Sequence, residues 1–178
     1  MFENDSINIL GSINADRALL IQADLNGNIL NQKQIQTNTT QFYFSEKSSE
    51  LILVGNSKSG SLSLEKINGI GNLIWQHTYS FPGFDNANFT EIKISNNSYT
   101  ILGVKNNSGI GEPEKSISFL LKTLFDGTEV WQKTINDEVD VIRCIDLLED
   151  ENIISAISNS TYEDPGEIRF YLEMIYDY

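Results

Sequence analysis

The chain has 178 residues, 40% of them apolar and 10% aromatic, which suits one folded domain with a substantial core and excludes a disordered polymer. Its 12 basic and 25 acidic residues leave a net charge of −13, which repels DNA and RNA backbones and an anionic membrane surface. The single cysteine, Cys144, excludes an intrachain disulfide, and its apolar surroundings at 141–148 predict a buried, inert thiol.

In chain order the predicted elements are short strands. Ile9-Leu10-Gly11 opens with an apolar strand carrying a small residue, as crowded backbones near a propeller axis require. Residues 19–33 (LLIQADLNGNILNQK) follow as an apolar strand, a turn closing at Gly27 and a second strand. Asn26-Gly27 tolerates positive φ at both central positions, so the segment predicts a hairpin with a two-residue type I′ turn. The same stretch, Asp24-x-Asn26-Gly27-Asn28, has the opening of a calcium loop. Gln36 stands where an EF-hand needs its bidentate glutamate, so the hairpin explains these residues and no metal is predicted.

A strand is predicted at 41–45, and Leu53-Val54-Gly55 repeats the small-residue strand. Residues 63–77 (SLEKINGIGNLIWQH) then repeat the hairpin with Gly71. Phe81 and Phe84 follow in a predicted loop, a strand covers 89–94, and Ile101-Leu102-Gly103 is the third small-residue strand. The third hairpin is 119–133 (FLLKTLFDGTEVWQK), with Gly127 after Asp126. A strand at 139–145, Ile154-Ser155-Ala156 and a fourth copy starting at Phe170 complete the series. The segments 106–115 and 158–167 change the spacing and are predicted to connect repeats.

The three hairpins align without gaps. Four residues after each glycine comes Asn31, Trp75 or Trp131, then Gln32, Gln76 or Gln132. The glycines lie 44 and 56 residues apart, a period of four short strands that matches one propeller blade. The expected fold is all-β: a small β-propeller of about four blades, the first and last incomplete, with repeats at roughly 1–37, 38–80, 86–136 and 137–178. The first lacks an inner strand unless residues 2–5 supply one. The last lacks its outer strand, which leaves 170–178 as an edge open to self-association.

The run KTLFDGTEVWQKT at 122–134, and its counterpart at 66–78, resembles bacterial β-propeller repeats of the PQQ-like and related surface-protein type. The resemblance implies that the tryptophan strand is outermost and that Trp75 and Trp131 pack between adjacent blades. Asn31 departs from the pattern, implying a looser first interface. Nothing matches the residues that bind a quinone in the enzymatic members, so no cofactor is expected.

Candidate chemistry is sparse. His77, the single histidine, occupies the slot of Lys33 and Lys133 and is expected on the exposed face of an outer strand. No nucleophile–base spacing, zinc pattern, phosphate loop or dinucleotide fingerprint is present, so no enzyme is expected. Charge is concentrated instead: residues 136–178 hold 12 acids and 2 bases. Asp137, Glu138, Asp140, Glu149, Asp150, Glu151, Glu163 and Asp164 form the candidate acidic docking face. The leading expectation is a non-catalytic binding or scaffold module for another, basic protein, with an inhibitor or immunity protein for a basic toxin as its sharper form. The alternative is a carbohydrate-binding surface module using Phe81, Phe84 and Tyr162. A lesser reading pairs Glu91 with Asp140 as hydrolase carboxylates. No membrane span is visible, and both a cytoplasmic protein and a secreted or surface domain with its leader removed fit.

Overall fold

The computed structural model describes residues 6–14, 17–37, 51–56, 61–84, 86–107, 115–135, 140–148, 153–160 and 168–175. They form no helix, and the protein is all-β. No helix among the described residues is long and apolar enough to cross a membrane. The chain divides into two compact units, Met1–Ser80 and Phe81–Tyr178.

The first unit holds two antiparallel sheets. One is β1 (Ser6–Asn14), β2 (Arg17–Asp24) and β3 (Ile29–Gln36); the other is β4 (Leu51–Asn56), β5 (Leu62–Ile67) and β6 (Leu73–Tyr79). In the second unit β7 (Asn86–Ile94), β8 (Ser98–Asn107), β9 (Lys115–Leu124) and β10 (Glu129–Thr134) form a four-stranded sheet. The remaining sheet is β11 (Asp140–Leu147), β12 (Ile153–Ser160) and β13 (Ile168–Ile175). In every sheet, strands that are neighbours in sequence are neighbours in space. The strand expected at 41–45 and the stub at 2–5 lie outside the described residues. The segments 106–115 and 158–167 do not connect sheets. They join β8 to β9 and β12 to β13, which are hairpin partners.

The three glycine hairpins share one geometry. The amide of Gly27 donates to the Asp24 carbonyl at 3.0 Å, and the Asp24 amide donates to the Asn28 carbonyl at 2.9 Å. Gly71 with Asn68 and Asn72, and Gly127 with Leu124 and Thr128, repeat both bonds. The glycines have φ of 83°, 76° and 84°, where a Cβ is strained. This corrects the expected two-residue turn. Each loop has three residues, a turn followed by a left-handed glycine that forms a bulge, and the first strand ends one residue earlier. In the first hairpin the side chain of Asp24 also caps the loop. Its Oδ1 accepts from the amides of Asn26 at 2.9 Å and Asn28 at 2.8 Å. Asn68 does the same for Ile70 and Asn72. The carboxylate that suggested a calcium loop is occupied by the turn.

Each unit has a core between its two sheets. In the first, Leu10, Ala18, Leu20 and Ile35 meet Leu51, Leu53 and Ile67. In the second, Leu102, Leu120, Trp131 and Ile135 meet Ile142, Ile145, Leu147 and Ile153. Leu10, Leu20 and Ile35 fall on the same repeat positions as Leu102, Leu120 and Ile135, so sequence equivalence carries over into packing. Trp131 joins the second core, whereas Asn31 at the same position is no part of the first and donates to Gln22 Oε1 at 3.4 Å.

Two expectations at the fourth sheet are corrected by β-bulges. β7 is bulged between Phe89 and Glu91, and β11 between Ile142 and Cys144. Superposing the bulges matches Gly103, opposite Phe89, with Ile157, opposite Ile142. Ile157 therefore stands at the glycine position, and Ala156 is one residue away from it. The same bulge turns Cys144 to the face opposite Ile142 and Ile145, so the thiol is exposed rather than buried.

Candidate functional site

Of the acidic residues singled out by sequence, Asp137, Glu138, Glu149, Asp150, Glu151, Glu163 and Asp164 lie outside the described residues. Asp140 opens β11, paired in register with Asn159. The charge of this stretch is thus known from sequence alone.

The described acids elsewhere serve as braces. Glu91 on β7 accepts the Ile145 amide at 2.9 Å through Oε2 and meets Lys93 at 3.2 Å through Oε1. Lys93 also reaches Asp146 at 3.5 Å. Partial burial opposes the Lys93 charge, but Glu91 and Asp146 outweigh it and hold the ammonium above its usual pKa. The cluster ties the inner strands of the two sheets of the second unit together, which is structural employment for a residue considered as a hydrolase acid.

Lys105 on β8 is the unusual cation. It is 6% exposed, and burial pushes its pKa below the usual lysine value. Its ammonium donates to Thr134 Oγ1 at 2.6 Å and lies over the rings of Phe84 at 4.3 Å and Phe81 at 5.6 Å. Phe81 is itself 6% exposed and packs on Phe119 with centroids 4.2 Å apart. The expected aromatic sugar platform is corrected accordingly: Phe81 is a core residue, Phe84 is half-buried beside Lys105, and Tyr162 lies outside the described residues. Periodicity could not reveal this, because Phe81 belongs to a turn closed by the Phe84 amide on the Phe81 carbonyl.

His77 is exposed on β6, edge-on to Trp75 at 5.4 Å and stacked with Tyr79 at 6.4 Å. No carboxylate or nucleophile is among those ring contacts. Among the described residues no group of three or more histidine, cysteine, aspartate or glutamate side chains is placed to hold a metal.

A shallow cleft of about 430 Å³ lies in the first unit between β3 and β6, lined by Lys33, Gln34, Gln36, Thr37, Glu65, Asn72 and Gln76 with Ile35, Gly71 and Leu73. No protein-family model matches this sequence, and no curated protein matches it. The cleft must therefore be read from its own chemistry. Lys33 bridges it by donating to Asn72 Oδ1, and Gln76 donates to the buried Glu65 at 3.2 Å. These groups offer amide donors and acceptors to a polar ligand. They include no activated nucleophile. Sequence missed the cleft because Glu65 sits at a position held by Ile21 and Leu121 in the sister repeats, a substitution visible in the alignment but silent about depth.

Proposed function

We propose that the chain is a non-catalytic protein-binding module, built from four blades of a propeller-type repeat, that holds a basic partner through the acidic loops of its last quarter. The observation that carries this reading is charge placement: 12 acids and 2 bases within residues 136–178 of a chain whose net charge is −13. Such a field raises the encounter rate with a basic protein and makes association sensitive to salt. An inhibitor or immunity protein that masks a basic toxin is the sharper form. The all-β sheets supply a rigid support, and the acids on connecting segments supply the field.

The test is association kinetics of the full chain with the protein it retains from its native source. The expected partner is basic, and the association rate falls steeply with ionic strength. Replacing Glu149, Asp150 and Glu151 by lysine is expected to slow association about tenfold while leaving dissociation nearly unchanged. A neutral or acidic partner, or an association rate indifferent to salt and to the triple substitution, overturns the reading.

A further inference from the structure

Two lysines of the third sheet are drawn out of water and held in opposite ways. Lys93 on β7 lies between two carboxylates, Glu91 at 3.2 Å and Asp146 at 3.5 Å, which fasten the proton to its amine. Lys105 on β8 is 6% exposed and pairs with no carboxylate among the described residues. Its hydrogen-bond partner is a hydroxyl, Thr134 Oγ1 at 2.6 Å, and its other neighbours are the rings of Phe84 and Phe81.

Register explains how a lysine comes to lie there. Gly103, Phe119 and Thr134 form one row across β8, β9 and β10, with Lys105 two residues beyond Gly103 on the same face. Phe119 fills the space above Gly103 and carries Phe81, with 4.2 Å between ring centroids. The Lys105 amine ends beside Thr134, which is exposed on the edge strand β10. The matching positions after Gly11 and Gly55 are Ile13 and Ser57, so the buried amine is particular to this sheet and no demand of the repeat.

These surroundings favour the neutral amine. Burial penalises the ammonium and pushes its pKa below the usual lysine value, and no paired carboxylate restores it. The ring faces attract the cation but carry no net charge, and they offset the penalty only in part. The hydroxyl suits either state: it accepts from the amine, or donates its own proton to the nitrogen lone pair. A desolvated lysine amine of this kind is a nucleophile toward carbonyl carbon.

We propose that Lys105 is a capture site for small aldehydes, its Nζ forming an imine beside Thr134 and against Phe84. The Nζ lone pair bonds to the carbonyl carbon, and the carbonyl π pair passes to oxygen, which takes a proton. Nitrogen loses its two protons in turn as the C=N bond forms, and the oxygen departs as water. No oxidant or reductant is consumed. The exposed side at Thr134 admits a short aliphatic chain, while the rings cover the other side of the amine. None of the acidic residues of 136–178 takes part, so failure here leaves the basic-partner reading standing.

Limiting acetaldehyde with sodium cyanoborohydride at about pH 7, followed by peptide mass mapping of the full chain, tests this. The reagent's hydride reduces the imine and fixes it as an N-ethyl amine. Lys105 is expected to be ethylated about tenfold faster than the other lysines, Lys93 included. Thr134→Asp, which sets a carboxylate beside the amine, is expected to bring Lys105 down to the rate of the others. Thr134→Asn, similar in size to that variant and neutral, is expected to keep the preference. Both substitutions fall on an exposed position, and an unchanged far-ultraviolet spectrum checks the fold. Ethylation of Lys105 no faster than that of Lys93 in the parent, or equal Lys105 rates in the two variants, overturns the proposal.

Discussion

Asp24 shows how one side chain braces a turn. Its carboxylate accepts hydrogen bonds from the Asn28 side chain and amide and from the Asn26 amide, and these hold its pKa below the ordinary 3.8. The bonds strengthen the ionised form in the folded state alone, so the stability they supply is present above the ordinary value. It is lost as pH falls through the lowered one. Asn68 caps the sister turn with a neutral amide oxygen, at 2.8 Å from the Asn72 amide. Asp24→Asn should therefore keep the turn and remove its acid sensitivity. Urea unfolding between about pH 5 and pH 2 is expected to show a smaller loss of stability in the variant than in the parent. An equal loss would place the acid-sensitive contact elsewhere.

At the scale of strands and sheets, the central strands depend on close approach. A Cβ on Gly103 would lie 2.4 Å from Phe119 Cζ and 2.5 Å from the Asn88 carbonyl oxygen, whereas one on Gly11 would meet nothing within 4 Å. Phe119 faces Gly103 across the β8–β9 pair and fills the space its missing side chain leaves. Gly103→Ala is expected to cost about 1–3 kcal/mol, and Gly11→Ala less than about 0.5 kcal/mol, by denaturant unfolding. The sequence made the three hairpins legible because glycine at fixed spacing reports a backbone need that no other residue meets. It concealed the exposure of Cys144, because a bulge at Arg143 reverses which face the following residues occupy, and a bulge leaves no period to read. Phe81 was hidden likewise, since its burial comes from Phe119 and Lys105, far along the chain. The acidic cluster was legible only as charge, for a run of carboxylates carries no pattern of alternation to fix its place.

For the whole molecule, charge sets the expected behaviour. The net charge is −13, and residues 136–178 hold 12 acids against 2 bases. Salt shortens the reach of such charges, from about 10 Å at 0.1 M to about 3 Å at 1 M, and leaves burial of apolar surface intact. Capture of a basic partner should consequently weaken as sodium chloride rises, by about threefold to tenfold between roughly 0.05 and 0.5 M, in a titration of the full chain with that partner. An affinity that holds or tightens over the same range would mean that apolar contact, not the acidic stretch, retains the partner.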